Sequence, residues 1–252
     1  DGIVTGVIGE GIAANPNPAF GWVGGLTHVS PTSGYWVKVN ADANLVVEEV
    51  YPSDPELVYD LHAGANLISF PYEGSIAIQD AILSEYSGEF SGFIGEGVAA
   101  TYNPNLGWVG GLTEFSGGKG YWAKANSDLE FSFNISDDLR RIGDSIDLTL
   151  PDEIEFNQSI NQSFYFIEDV ILDGQSIKDG DLILAYNGNV LVGARKWTGV
   201  YSEVPVMGYD GSVATFGYMN LGESPTFKVI SNNGKEYLLE SVPDWSNNEI
   251  LN

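Results

Sequence analysis

Short segments rich in Val, Ile, Tyr and Phe alternate along the chain with turns rich in Gly, Asn and Asp, the pattern of half-buried strands. Residues 57–61 (Leu-Val-Tyr-Asp-Leu) and 66–70 (Asn-Leu-Ile-Ser-Phe) read as strands around a turn at Ala63-Gly64-Ala65, and residues 163–172 read as a further apolar strand segment. Residues 182–186 and 190–194 flank Asn187-Gly188-Asn189, and residues 227–230 and 236–240 flank Asn232-Asn233-Gly234. Such Asn-Gly connections favour hairpins. One segment departs from the pattern: across 75–86, Ile78, Ile82 and Leu83 share a helical face and Ser75 can cap it, which predicts one short amphipathic helix. The expected fold class is therefore all-β with one short helix.

Residues 6–42 recur at 92–128 with a constant offset of 86 and no gap, and 23 of the 37 paired positions are identical. The repeat keeps Ile-Gly-Glu-Gly (8–11 and 94–97), Gly-Trp-Val-Gly-Gly-Leu-Thr (21–27 and 107–113) and Gly-Tyr-Trp (34–36 and 120–122). Glycines, tryptophans and apolar residues dominate it, so the duplication preserves a fold and a surface rather than a catalytic centre.

These patterns divide the chain into a duplicated β-rich module over 1–134, a linker over 135–150 and a β-sandwich over 151–252. Within the first, the copies occupy about 4–50 and 91–134, with lead-in strands in 57–90 before the second copy. The first copy has no such lead-in. Three explanations stand: one lead-in serves both copies; the chain is a processed product or a designed fragment, since it starts at Asp1 without an initiator Met; or a neighbouring subunit supplies the strand, joining chains head to tail. The third makes Ile3, Val4, Leu67, Ile68 and Phe70 candidate subunit contacts.

The formal charge is −25, from 35 acidic and 10 basic residues, which opposes approach to a phosphate backbone and excludes nucleic-acid binding. No apolar run approaches the roughly 18 residues of a membrane helix, so membrane insertion is not expected. With no cysteine, disulfides, thiolate metal sites and cysteine nucleophiles are all absent.

Glu10 and Glu96 are equivalent carboxylates between glycines, which suits either a glycosidase pair or two turn residues duplicated together. His28 and His62 form no metal-binding pattern, and neither a nucleophile elbow nor a phosphate loop occurs. An enzyme is not expected. Trp22, Trp36, Trp108 and Trp122 can fill cores or stack on sugar rings. For calcium, Asp179 and Asp181 lie in the cluster 173–181 that starts at Asp173, with Asn187 and Asp210 near it if the hairpins fold back; the same residues are also ordinary turn formers.

The run Ala63-Gly-Ala-Asn-Leu-Ile-Ser-Phe-Pro71, followed by Ile94-Gly-Glu-Gly, Trp108-Val-Gly-Gly-Leu and Gly118-Lys-Gly-Tyr-Trp122, resembles the GWNLISFP, GEG, WVGSL and GKGYW modules of secreted multi-domain bacterial surface proteins. Residues 179–194, beginning Asp-Gly-Asp-Leu-Ile-Leu-Ala-Tyr, are similar to the GDxIGAF-type β-sandwich modules of such chains. The resemblance implies extracellular display. The function expected is that of a non-enzymatic extracellular structural or adhesive protein, self-assembling by strand addition or binding neighbouring surface modules. The alternative is a carbohydrate-binding module with glycans as partners.

Overall fold

The computed structural model describes residues 2–46, 53–135, 146–172, 174–239 and 242–251. Residues 136–145 of the expected linker and Asp173 of the expected calcium cluster lie outside these. The protein is nearly all β, and its chain divides into two compact units: Asp1–Gly95 with Glu114–Gly143, and Glu96–Thr113 with Asp144–Asn252.

Unit 1 opens with β1 (Val4–Gly9), β2 (Ile12–Asn17), β3 (Gly21–Gly24) and β4 (Trp36–Val39). They form an antiparallel sheet in the order β3-β2-β1-β4. β5 (Tyr59–Leu61), β6 (Gly64–Ser69), β7 (Ser75–Ala77), the helix α1 (Ile78–Ala81) and β8 (Phe90–Ile94) follow. The next two strands, β9 (Ala99–Asn103) and β10 (Gly107–Val109), form a hairpin belonging to unit 2. Unit 1 then resumes with β11 (Glu114–Ser116), β12 (Gly120–Ala125) and β13 (Leu129–Phe131). There β12 runs between β8 and β6, β11 pairs with β7, and β13 with β5.

The expected short helix is present, but it starts at Ile78 and not at Ser75. Ser75 does not cap it: residues 75–77 are a strand paired with 114–116, the Ser75 hydroxyl meets that of Ser116 at 2.8 Å, and Ala77 holds the cap position without a side-chain bond. Ile76 and Ala77 are buried in this ladder, and only one helical turn remains, with Ile78 and Ile82 inward and Leu83 exposed. Long-range pairing has overridden the local periodicity.

Aromatic rings fill the core of unit 1. Phe115 lies 5.6 Å from Phe70, 5.1 Å from Phe93 and 5.0 Å from Phe133, mostly edge to face, the arrangement ring quadrupoles favour. The two copies repeat down to single hydrogen bonds. Ser30 N–H donates to the Tyr35 hydroxyl at 2.8 Å, as Ser116 N–H does to Tyr121. Asn17 Oδ1 accepts from the amides of Ala19 and Phe20, as Asn103 Oδ1 does from Asn105 and Leu106. The tyrosine of Gly-Tyr-Trp and the asparagine of the hairpin turn are thus structural in both copies.

Besides the hairpin, unit 2 contains β14 (Gln162–Ile167), β15 (Ile171–Leu172), β16 (Gln175–Ser176), β17 (Leu182–Asn187), β18 (Val190–Lys196), β19 (Ser202–Met207), β20 (Thr226–Ile230), β21 (Glu236–Leu238) and β22 (Ile250–Leu251). It is sandwich-like: a four-stranded sheet β18-β17-β20-β21 and a three-stranded sheet β19-β14-β22 share a core that includes Ile183, Val192, Val204, Phe227 and Trp245. Both expected hairpins are present, the first turning at Gly188 with φ +58° and the second with Gly234 at +78°. Among the described residues no helix is long and apolar enough to cross a membrane.

Candidate interaction surfaces

The lead-in strand β6 has neighbours on both edges. One edge pairs along its length with β12, and the other meets residues 32–34 of the first copy. There Gly34 N–H donates to the Leu67 carbonyl at 2.9 Å, and Ser69 N–H to the Thr32 carbonyl at 3.2 Å. Leu67 N–H donates to Glu10 Oε2 at 2.9 Å, so the repeated glutamate of the first copy acts as a backbone acceptor. Leu67, Ile68 and Phe70 are buried, whereas Ile3 and Val4 at the start of the first sheet are half-buried.

His62 stands beside this contact. Its Nε2 donates to Glu10 Oε1 at 2.7 Å and its Nδ1 to the Ala63 carbonyl at 2.8 Å, so both ring nitrogens face acceptors and the doubly protonated ring fits. The Ala63 carbonyl first, then the Glu10 carboxylate, raise the imidazole above its usual pKa. A cleft of about 410 Å³ beside β6 is lined by Glu10, Ser33, Asp60, Asn66 and Glu130 among others, with Glu10 already engaged by His62 and Leu67.

The first copy also presents a sheet end. Among the described residues β4 closes the order β3-β2-β1-β4, whereas its equivalent β12 has β6 beside it. Asn40 N–H bonds to the Ile3 carbonyl on the β1 side. Backbone groups alternate along a strand, so those of Val37 and Val39 point to the opposite edge, as those of Ala123 and Ala125 do towards β6 in the second copy. Val37 and Val39 are 42% and 51% exposed.

The four repeated tryptophans have different surroundings. Trp22 is 54% exposed beside Phe20 at 80%, while Trp36, Trp108 and Trp122 are half-buried and the Trp122 indole nitrogen is covered. Trp108 packs against Tyr102 with ring centroids 5.5 Å apart. Next to it, Tyr102, Asn103, Phe166, Glu168 and Tyr201 line a cleft of about 340 Å³ that the sequence did not suggest. Tyr201 has φ +62°, a left-handed conformation unusual for a tyrosine.

The calcium candidates serve separate turns. Asp181 is buried and accepts from the amides of Lys178 at 2.8 Å and Asn232 at 2.7 Å, tying one hairpin to another. Asp179 is exposed and its carbonyl faces the Asn232 amide group at 3.3 Å. Asn187 donates to the Gly217 carbonyl and to Glu223, and Asp210 accepts from Ser212 N–H and the Thr215 hydroxyl. Among the described residues no three His, Asp or Glu side chains cluster together.

Sequence reading missed a buried ion pair. Arg195 and Glu203 pair at 2.9 Å within unit 2, with side chains 6% and 2% exposed. Arg195 Nη2 also donates to the Gly97 carbonyl at 2.7 Å, Glu203 Oε2 accepts from Gly111 N–H at 2.7 Å, and Gln162 Oε1 accepts from Gly97 N–H at 3.3 Å. Burial raises the Glu203 pKa, opposed by Arg195 and by backbone donors including Gly111. The available signal was an arginine ending an apolar strand and a repeated Gly-Gly pair, neither of which names its partner.

In comparisons with known proteins, no family model, no curated protein and no solved structure matches the chain.

Proposed function

We propose that the chain is a non-enzymatic extracellular structural protein that assembles by strand addition, with β4 of the first copy receiving a strand from a neighbouring copy. The observation that carries this reading is the difference between the repeats: β12 has β6 at its side, whereas among the described residues the equivalent β4 ends its sheet. The outward edge of β4 offers the backbone groups of Val37 and Val39, and an added strand gains both these hydrogen bonds and apolar contact with exposed valines. Since β6 is already bordered on both edges, the receiving strand is β4 and not the lead-in. Location outside the cell rests on the resemblance of these modules to those of secreted surface proteins. Assembly is tested by sedimentation velocity over a range of concentrations, with growing species expected from the wild type and monomer throughout contradicting the proposal.

A second reading, binding of glycans, is favoured by the exposed Trp22 and by the cleft lined by Tyr102, Phe166 and Tyr201, where the half-buried tyrosine rings, with Glu168 and Asn103 nearby, offer stacking faces and polar acceptors. A glycan array separates the two: binding abolished by Tyr201→Ala or Trp22→Ala would establish this reading, and an empty array would remove it.

A further inference from the structure

The β9–β10 hairpin and its first-copy equivalent β2–β3 share a sequence pattern but not an environment. Within unit 2 the second hairpin is covered, with Gly97 held by Arg195 and Gln162, and Gly111 by Glu203. A side chain on Gly110 would start 2.9 Å from the Phe166 ring, and one on Gly111 would start 2.3 Å from Glu203 Oε1. Ala99, Ala100 and Leu112 are buried there. By the offset of 86 the first copy has Gly11, Gly24, Gly25, Ala13, Ala14 and Leu26 at these six positions, all identical. Its Gly11 and Gly25 are exposed.

Two of these glycines have a local reason. Gly11 has φ +68°, and a Cβ on Gly24 would lie 2.1 Å from the Ala13 carbonyl oxygen, so both are dictated by the hairpin itself. Gly25 has neither reason. Its φ is not left-handed, and a Cβ there would meet only Ile12 Cγ2 at 3.8 Å. In the second copy the same glycine is what admits a carboxylate.

We infer that the β2–β3 hairpin is a docking face for a β-sandwich module of the unit 2 kind carried by a separate polypeptide. The partner places a carboxylate on Gly25 N–H, a guanidinium on the Gly11 carbonyl and an aromatic ring over Gly24, as Glu203, Arg195 and Phe166 do for the second hairpin. Another copy of this chain does not suffice: its one such face already holds its own second hairpin, and exchanging one hairpin for the other gains no contact. A module with that face vacant gains all of them.

The probe is the full chain with residues 97–112 replaced by a short Gly-Ser turn, which bares the sandwich face, and with Gly25→Arg, which stops it binding itself. Titrated into ¹⁵N-labelled wild-type chain, it is expected to shift the Gly11 and Gly25 amide resonances, with affinity falling at least tenfold when the labelled chain carries Gly25→Arg. A probe whose near-ultraviolet dichroism shows an ordered sandwich and which shifts neither resonance overturns the proposal. If the bared sandwich does not fold, a second variant decides. Val98→Ile, Thr101→Asn, Tyr102→Pro, Asn105→Ala and Leu106→Phe together give the second hairpin the sequence of the first in the full chain. Gly111 amide exchange within tenfold of wild type is expected, and loss of that protection overturns the proposal.

Discussion

Arg195 and Glu203 lose their balance when either is replaced alone. Each is buried, and removing one leaves the other charged without its counterion, which costs about 3–5 kcal/mol. Urea unfolding of Arg195→Met and Glu203→Met is therefore expected to show losses of that order. The double variant should lose clearly less than the sum of the two, because no unpaired charge remains. Additive losses would mean that the pair is not coupled. His62 gives a prediction in pH. Its pKa is raised in the folded chain above the ordinary imidazole value of 6.5, so its contribution is complete below about pH 6.5 and is lost as pH rises through the folded value. The stability difference between wild type and His62→Asn should accordingly be largest in mild acid and shrink in alkali. A difference that grows with pH would contradict the assigned contact with Glu10.

At the scale of elements, equivalent glycines should behave differently according to what surrounds them. Gly25→Ala is expected to change stability by no more than about 0.5 kcal/mol, since its added methyl meets only Ile12 Cγ2, at an ordinary contact distance of 3.8 Å. Gly111→Ala, with a carboxylate oxygen 2.3 Å from the new atom, should cost about 1–3 kcal/mol. Denaturant titration checks both, and equal effects would remove the distinction drawn between the hairpins. Short strands with Asn-Gly turns were legible because their signals are local: β17, β18, β20 and β21 fall close to where the alternation and turns place them. The short helix was legible, but its start and its cap were misplaced because residues 75–77 pair with 114–116, a contact that no window of sequence contains. For the same reason the repeat disclosed Gly25 and Gly111 but not Glu203, and a lead-in shared by both copies could be envisaged while residues 32–34 as its contact could not.

For the whole molecule, a charge of −25 opposes any assembly of like chains. Association through β4 must gain more from backbone pairing and apolar contact than this repulsion removes, so it should strengthen as salt rises and the screening length falls towards about 8 Å at physiological ionic strength. Association that weakened with salt would point instead to ion-pair contacts. The assembly account can be tested without disturbing the fold because the Val37 N–H faces away from β1. Proline is tolerated on an edge strand in that orientation, so Val37→Pro should keep the first sheet intact while deleting a donor that an added strand needs. The decisive measurement is sedimentation velocity of wild type and Val37→Pro side by side at high concentration and physiological salt, with circular dichroism to compare their folds. The account predicts extended oligomers from the wild type and monomer from an equally folded Val37→Pro. A monomeric wild type, or a variant that associates as readily as the wild type, would contradict it.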